Sequence, residues 1–238
     1  MNILVVNDDS IHAPGIQMLA QAASQLGNVY VVAPASQCSA MSQKLTLREP
    51  MTLREMKDFP ADVKAAWEVG GTPVDCVKVA LYHILKEKPD LVLSGINNGY
   101  NAGFDIAYSG TLGAAFEAAR NGVSAIAFSA PSDAHLPAVE PWLLPVLKEL
   151  AESDAGVGHV WNVNFPRLNE QPPKGILRDR IPAYISLIHE DYRETVQPDG
   201  TVTLSCRGIP VPDEALCPGS DGEAVRTGYI SIGKVRAF

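Results

Sequence analysis

The sequence predicts an α/β protein with a mostly parallel sheet and a β-rich C-terminal extension. Three observations carry that prediction. Short apolar runs that stop on polar or glycine-rich loops alternate with segments of helical periodicity through the first two thirds of the chain. The opening residues read strand, helix, strand, a βαβ unit whose crossover is expected to be right-handed. After Pro166 prolines multiply, and polar, β-branched stretches replace the apolar runs.

Each element can be justified in order. Ile3 to Val6 is an apolar run that ends on Asn7, Asp8 and Asp9, which reads as a buried parallel strand. Ile16, Leu19, Ala20, Ala23 and Leu26 recur at helical spacing, and Gly27 closes the helix. Val29 to Ala33 is the second strand, closed by Pro34, and 35–43 is a small, polar loop at its C-terminal end. Lys44 to Glu55 reads as two short edge strands. Thr72 is a helix cap, Pro73 suits the first helical position, and Asp75 stands three after the cap. That helix is expected to run to about Lys86–Pro89.

Leu91 to Leu93 is the next buried strand, and it empties into SGINNGYNAG (94–103), a loop whose glycines let backbone approach a ligand. YSGTLGAAFEAARNG (108–122) is a small-residue helix capped by Ser109 or Thr111 and closed by Gly122, and Val123 to Ser129 is a further strand. Pro141 to Leu150 is a helix, and Val160 to Phe165 the expected last strand of the core. Tyr192 to Cys206 carries QPDGT between two polar arms and reads as a hairpin. Glu223 to Ile232 reads as a terminal strand.

The totals exclude several classes. The 238 residues carry a formal charge of −8 with no basic block, which argues against tight binding to duplex nucleic acid or an anionic membrane. No apolar run reaches membrane-spanning length. The chain enters a strand at once, so no signal peptide is expected. Cys38, Cys76, Cys206 and Cys217 have no metal-binding spacing, and free thiols in a reducing cytoplasm are the simplest account.

Ligands in open α/β sheets bind outside the carboxyl ends of the strands. Four strand ends or adjoining loops here collect oxygen and amide groups: Asp8 with Asp9, Ser39, Asn97 with Asn101, and Ser109-Gly110-Thr111. Two adjacent carboxylates repel unless a cation or proton intervenes. With a hydroxyl and an amide they form a hard, all-oxygen set suited to Mg²⁺, Mn²⁺ or Ca²⁺ rather than zinc. The turn before the helix offers free N–H groups to a phosphate. Singly, each segment has an ordinary structural reading as a cap or turn; their shared edge is what raises them. His12 reads more readily as a packed or solvated side chain than as a catalytic base. His83, His135, His159 and His189 have no partner at motif spacing, and no His/Asp arrangement supports Cys38 as a nucleophile.

Together these residues closely resemble the SurE survival-protein family. The matching segments are ILVVNDDSIHAPGI (3–16), VVAP followed by Ser39 and LTL (45–47), GTPVDCV (71–77), SGINNGYNAG (94–103), YSGT (108–111), NVNFP (162–166) and GYISI (228–232). The resemblance implies a Rossmann-like three-layer core over 1–170. It also implies a β-rich extension over 171–238 that is exchanged between subunits, giving a homodimer or homotetramer. It implies a metal-dependent phosphomonoesterase of nucleoside 5′- and 3′-monophosphates, some members also degrading short polyphosphate. Asp8, Asp9, Ser39 and Asn97 map onto ligands of one divalent cation, Mg²⁺ or Mn²⁺. Asp8 and Asp9 also map onto the catalytic centre, Asn101 onto a position near the substrate phosphate, and Ser109, Gly110 and Thr111 onto the phosphate-binding turn.

There are departures. Ser10 and Ala40 stand where the family usually has glycine, adding side chains beside the metal loops. Ser220-Asp221 stands for a Thr-Asp pair, and many members carry a further helix after the terminal strand. A phospho-signalling receiver is a poor rival, because no lysine follows the fifth strand. A dehalogenase-type phosphatase needs Asp-x-Asp, not Asp-Asp. A non-catalytic nucleotide-binding protein of the same fold is the remaining alternative.

Overall fold

The computed structural model describes residues 1–131, 136–167 and 171–237. His135 lies outside them, and the expected boundary at 170/171 adjoins the stretch 168–170, which also does. In chain order the elements are β1 (Asn2–Val6), α1 (Pro14–Ala23), β2 (Asn28–Pro34), β3 (Leu53–Glu55), β4 (Ala65–Val69), α2 (Pro73–Val79), β5 (Leu91–Asn98), α3 (Gly110–Arg120), β6 (Ser124–Ala130), α4 (Leu136–Ala151), β7 (His159–Asn164), β8 (Ile176–Leu177), β9 (Ile188–Val196), β10 (Val202–Pro210), α5 (Asp221–Arg226) and β11 (Ile230–Arg236).

Nine strands form one sheet in the order β3-β4-β2-β1-β5-β6-β7-β11-β8, parallel except at β3–β4 and β7–β11. Helices cover both faces, which makes the molecule a three-layer α/β sandwich. β1 shows why. Ile3, Leu4, Val5 and Val6 are all fully buried, so both faces of this strand need cover. Ile3 and Val5 pack with α1 and α4, whereas Leu4 and Val6 pack with α2 and α3. The chain builds β2 and β4 on one side of β1 and then crosses to β5 on the other. The carboxyl ends of β1 and β5 therefore flank the topological switch point, where such sheets bind ligands.

The Thr72 cap is realised in full. Its hydroxyl accepts from the Asp75 amide, and the Asp75 carboxylate accepts from the Thr72 amide at 2.9 Å. Asp75 also accepts from the amide and hydroxyl of Thr46, so 44–46 is held on the start of α2. That is why only Leu53–Glu55, and not a second segment, becomes an edge strand. Past Val79 the helix of α2 widens into a π-helical turn over Ala80–Ile84 and stops sooner than expected.

Three further expectations are corrected. α4 begins at Leu136, with Pro141 and Pro145 inside it. Both prolines face solvent, while Val139, Leu143, Val146, Leu147 and Leu150 are buried; that burial outweighs the lost backbone bonds. β7 is not the last core strand: β11 pairs antiparallel along its whole length and β8 joins β11. The stretch read as a strand from Glu223 starts as α5, because the Ser220 hydroxyl caps it by accepting from Glu223 N.

The hairpin is present as β9 and β10, paired over nine residues and outside the main sheet. All four cysteines are free. Among the described residues no helix is long and apolar enough to cross a membrane.

Candidate metal and phosphate site

The site starts from strand alternation. Successive side chains of β1 point to opposite faces, and the pattern carries on past Val6. Asp8 follows Leu4 and Val6 towards α3, where its Oδ1 accepts the Thr111 hydroxyl at 2.7 Å. Asp9 turns the other way, towards the start of α1. Its Oδ2 accepts the Asn98 amide at 2.8 Å and its Oδ1 the Gln37 side-chain amide at 3.3 Å. The same Gln37 nitrogen donates to Ser39 Oγ at 3.0 Å, and the Cys38 amide donates to the Asp8 carbonyl at 2.7 Å. The loop after β2 is thus fastened to both aspartates.

The electrostatics suit a cation or a proton. Asp8 is buried, and burial pushes its carboxyl up to about 6; the Thr111 hydroxyl pulls it down, and the neighbouring charge of Asp9 pushes it up again. Among the described residues neither carboxylate has a Lys, Arg or His partner. Two carboxylates, the Ser39 hydroxyl and an amide oxygen form a hard donor set, and that chemistry fits a divalent cation. No cluster of three or more His, Cys, Asp or Glu side chains is found among the described residues, so the fit rests on this mixed set. Burial raises the Cys38 thiol, which disfavours the thiolate that a nucleophile needs.

The start of α3 presses on Asp8. Ser109 caps it, its hydroxyl accepting from Leu112 N at 3.0 Å. A Cβ built on Gly110 would lie 3.0 Å from both Cβ and Oδ2 of Asp8, so a side chain there would push the carboxylate aside. Gly110 and Thr111 therefore lie against Asp8, with the positive end of the helix towards it.

β5 delivers the amides. It runs beyond Leu93 to Asn98, with a register shift against β6 between Ser94 and Asn97. The Asn97 side-chain nitrogen donates to Gly99 O at 2.9 Å, which turns its oxygen outward. Asn97, Asn98, Asp9 and Gln37 line one cleft of about 440 Å³ with Ala13, Pro14, Ile96 and Pro131. Asn101 is placed differently. It is buried over β6 and β7, where its side-chain amide donates to Ser129 Oγ at 2.8 Å and its backbone bonds to Asn162 and Asn164.

Asp8, Asp9, Ser39, Asn97 and the 109–111 turn are thus drawn together, while Asn101 stands to one side. Sequence reasoning missed Gln37, the Asn98 amide, Ser129 and the pair Asn162 and Asn164. Two asparagines at alternate positions of an otherwise apolar strand were the available signal. His12 lies 3.5 Å from Glu68, which also pairs with Arg54, and it bonds to neither aspartate.

Two backbone features locate the departures. Ser10 has φ +94° and Ala40 φ +56°. Both are left-handed, so the positions suit glycine, and a side chain there is strained.

Comparison with known proteins now bears on these residues. The family model for survival protein SurE matches residues 3–183. The chain is 37% identical over 235 residues to 5′-nucleotidase SurE 1 of Thermus thermophilus, covering 98% of this chain and 90% of that one. It is 41% identical over 233 residues to 5′-nucleotidase SurE of Flavobacterium psychrophilum, covering 97% and 89%. The solved structure of the SurE protein from Aquifex aeolicus superposes with a TM-score of 0.83 at 32% identity, covering 100% of this chain and 94% of that one.

Proposed function

The chain belongs to the SurE survival-protein family, and on that premise we propose that it is a metal-dependent 5′-nucleotidase that hydrolyses nucleoside monophosphates to nucleoside and phosphate. One observation carries the reading. Two adjacent carboxylates follow the end of β1 with no cationic side chain paired to either among the described residues, and Asp8 lies against the start of a helix.

In this reading Asp8, Asp9, Ser39 and Asn97 hold one Mg²⁺ or Mn²⁺. When bound, such an ion neutralises phosphate charge and makes water a stronger nucleophile near neutral pH. The residues of the chain do the remaining work. Thr111 fixes the Asp8 carboxylate in one rotamer. Gln37 ties Ser39 to Asp9, so both ligands move as one. Ser109, Gly110 and Thr111 offer a helix start to the phosphate, and Asn101 supports it from the far side. Asp9 lines the open cleft and is the carboxylate that meets substrate and water; Asp8 is the buried anchor.

A non-catalytic nucleotide-binding protein is not favoured, since the relatives are nucleotidases. Action on 3′-monophosphates and a cytoplasmic setting belong to the same proposal. So does assembly into a homodimer or homotetramer. Ile188, Tyr192, Val196, Val202 and Leu204 are exposed and share one face of the hairpin, a surface suited to a second copy.

The test is phosphate release from AMP and GMP with Mg²⁺ or Mn²⁺, in EDTA, and in Asp9→Asn. Release is expected only in the wild type with metal. Undiminished release in EDTA and in the variant refutes the reading. Light scattering should show two or four chains, falling to one when the hairpin is shortened; a monomeric wild type refutes the assembly.

A further inference from the structure

β7 carries a feature that neither the core nor the ligand set explains. Asn162 and Asn164 lie at alternate positions, so both point to the α3 face of the sheet, and both are buried. Asparagine is a poor strand residue, and a buried amide is costly unless bonded. Both side chains direct their donors at a single residue. Asn164 Nδ2 donates to Asn101 O at 3.1 Å, and Asn164 Oδ1 accepts from Asn101 N at 2.9 Å. Asn162 Nδ2 donates to the same carbonyl at 2.8 Å. The Asn101 side chain is then anchored to Ser129 on the adjacent strand. The loop after β5 has no sheet partner of its own at this point, and these amides replace one.

Building on the nucleotidase reading, we infer that Asn164, assisted by Asn162, is a positioning residue for phosphate binding, acting through the backbone of Asn101. Its two bonds fix where the Asn101 side chain leaves the backbone, and so, on the nucleotidase reading, where that side chain stands relative to the phosphate. Neither asparagine touches the reacting atoms.

The test is a double-mutant cycle on the full chain with Mn²⁺, combining Asn164→Leu and the milder Asn162→Ala with Asn101→Ala. KM for AMP and Ki for inorganic phosphate are expected to rise roughly tenfold in Asn164→Leu and about threefold in Asn162→Ala, with kcat changed less than about threefold. In the Asn101→Ala background neither substitution should add more than about twofold. Hydrogen exchange of the 99–103 segment should quicken in Asn164→Leu while β1 and β5 stay protected.

Additive losses in the cycle overturn the inference, as does an unchanged KM with quickened loop exchange, or exchange that quickens across the whole sheet. If Asn164→Leu does not fold, Asn162→Ala decides on the same readouts. A wild type that hydrolyses no phosphomonoester refutes the nucleotidase reading instead, and the two failures cannot be confused.

Discussion

Two adjacent aspartates end the same strand and live in different surroundings. Asp8 lies on the α3 face, buried, its carboxyl raised to about 6 and held by Thr111. Asp9 lies on the α1 face, at the wall of an open cleft, held by the Asn98 amide and Gln37. A one-residue step just past the end of β1 is enough to send two identical side chains into opposite layers. The difference teaches that a one-residue offset, fixed by different hydrogen-bond partners, can divide a pair of carboxylates into one buried and one cleft-lining group.

The largest expected effect treats them alike and then separates them. Asp8→Asn and Asp9→Asn should each lower metal-dependent phosphate release by more than the ~10–100-fold typical of residues outside the ligand shell. Thermal unfolding without metal should tell them apart. Asp8→Asn removes a buried, unneutralised charge and should stabilise at pH 7, whereas Asp9→Asn should leave stability within about 0.5 kcal/mol. Equal stability changes would break the comparison.

The second effect is pH dependence. The folded carboxyl of Asp8 holds its proton more tightly than the unfolded value of 3.8. Its contribution to stability is therefore present below 3.8 and lost as pH rises through about 6. The metal-free protein should lose up to about 3 kcal/mol across that window from this group, and Asp8→Asn should flatten the curve. Denaturant titrations at a series of pH values read this directly.

Third, Thr111→Val removes the hydroxyl that lowers the Asp8 carboxyl. That carboxyl should rise further, Mn²⁺ should bind about tenfold more weakly at neutral pH, and stability should fall by about 1 kcal/mol. Calorimetry measures the first effect and denaturation the second. The smallest effect concerns the shared loop. Ser10→Gly relieves a left-handed serine and should stabilise by about 0.5–1 kcal/mol without altering AMP turnover.

Much of this was legible in the sequence. β1 announced itself by an apolar run ending on charges, and the Thr72 and Ser109 caps by hydroxyls ahead of helical patterns. The hairpin was marked by its Pro-Asp-Gly turn. The convergence of Asp8, Asp9, Ser39 and the 109–111 turn followed from placing each at a strand end or the loop beside it. What stayed hidden depends on tertiary pairing. Nothing local in Ile230–Arg236 says that it will cover the edge of β7, and nothing local in Pro141 or Pro145 says that burial will carry a helix through both. Gln37 looked like loop filler, because its role is to bridge residues that only folding brings together. The left-handed backbone at Ser10 and Ala40 was signalled only by the glycines that the family usually has there.

The hairpin sharpens the point from another side. Its nine-residue strands are longer than any strand of the main sheet, yet Ile188, Tyr192, Val196, Val202 and Leu204 remain uncovered. Apolar residues in β1 find their cover within the chain, whereas those in the hairpin form the exposed face proposed above for a second copy.

The central claim is that Asp8 and Asp9, despite facing opposite layers, share one ion with Ser39 and Asn97. An anomalous difference map at the manganese edge, from crystals grown with Mn²⁺, tests it most directly. The account predicts a single peak per chain within coordinating distance of a carboxylate oxygen of both aspartates, Ser39 Oγ and Asn97 Oδ1. A peak that touches only one aspartate, or none at the end of β1 in an active enzyme, would contradict it.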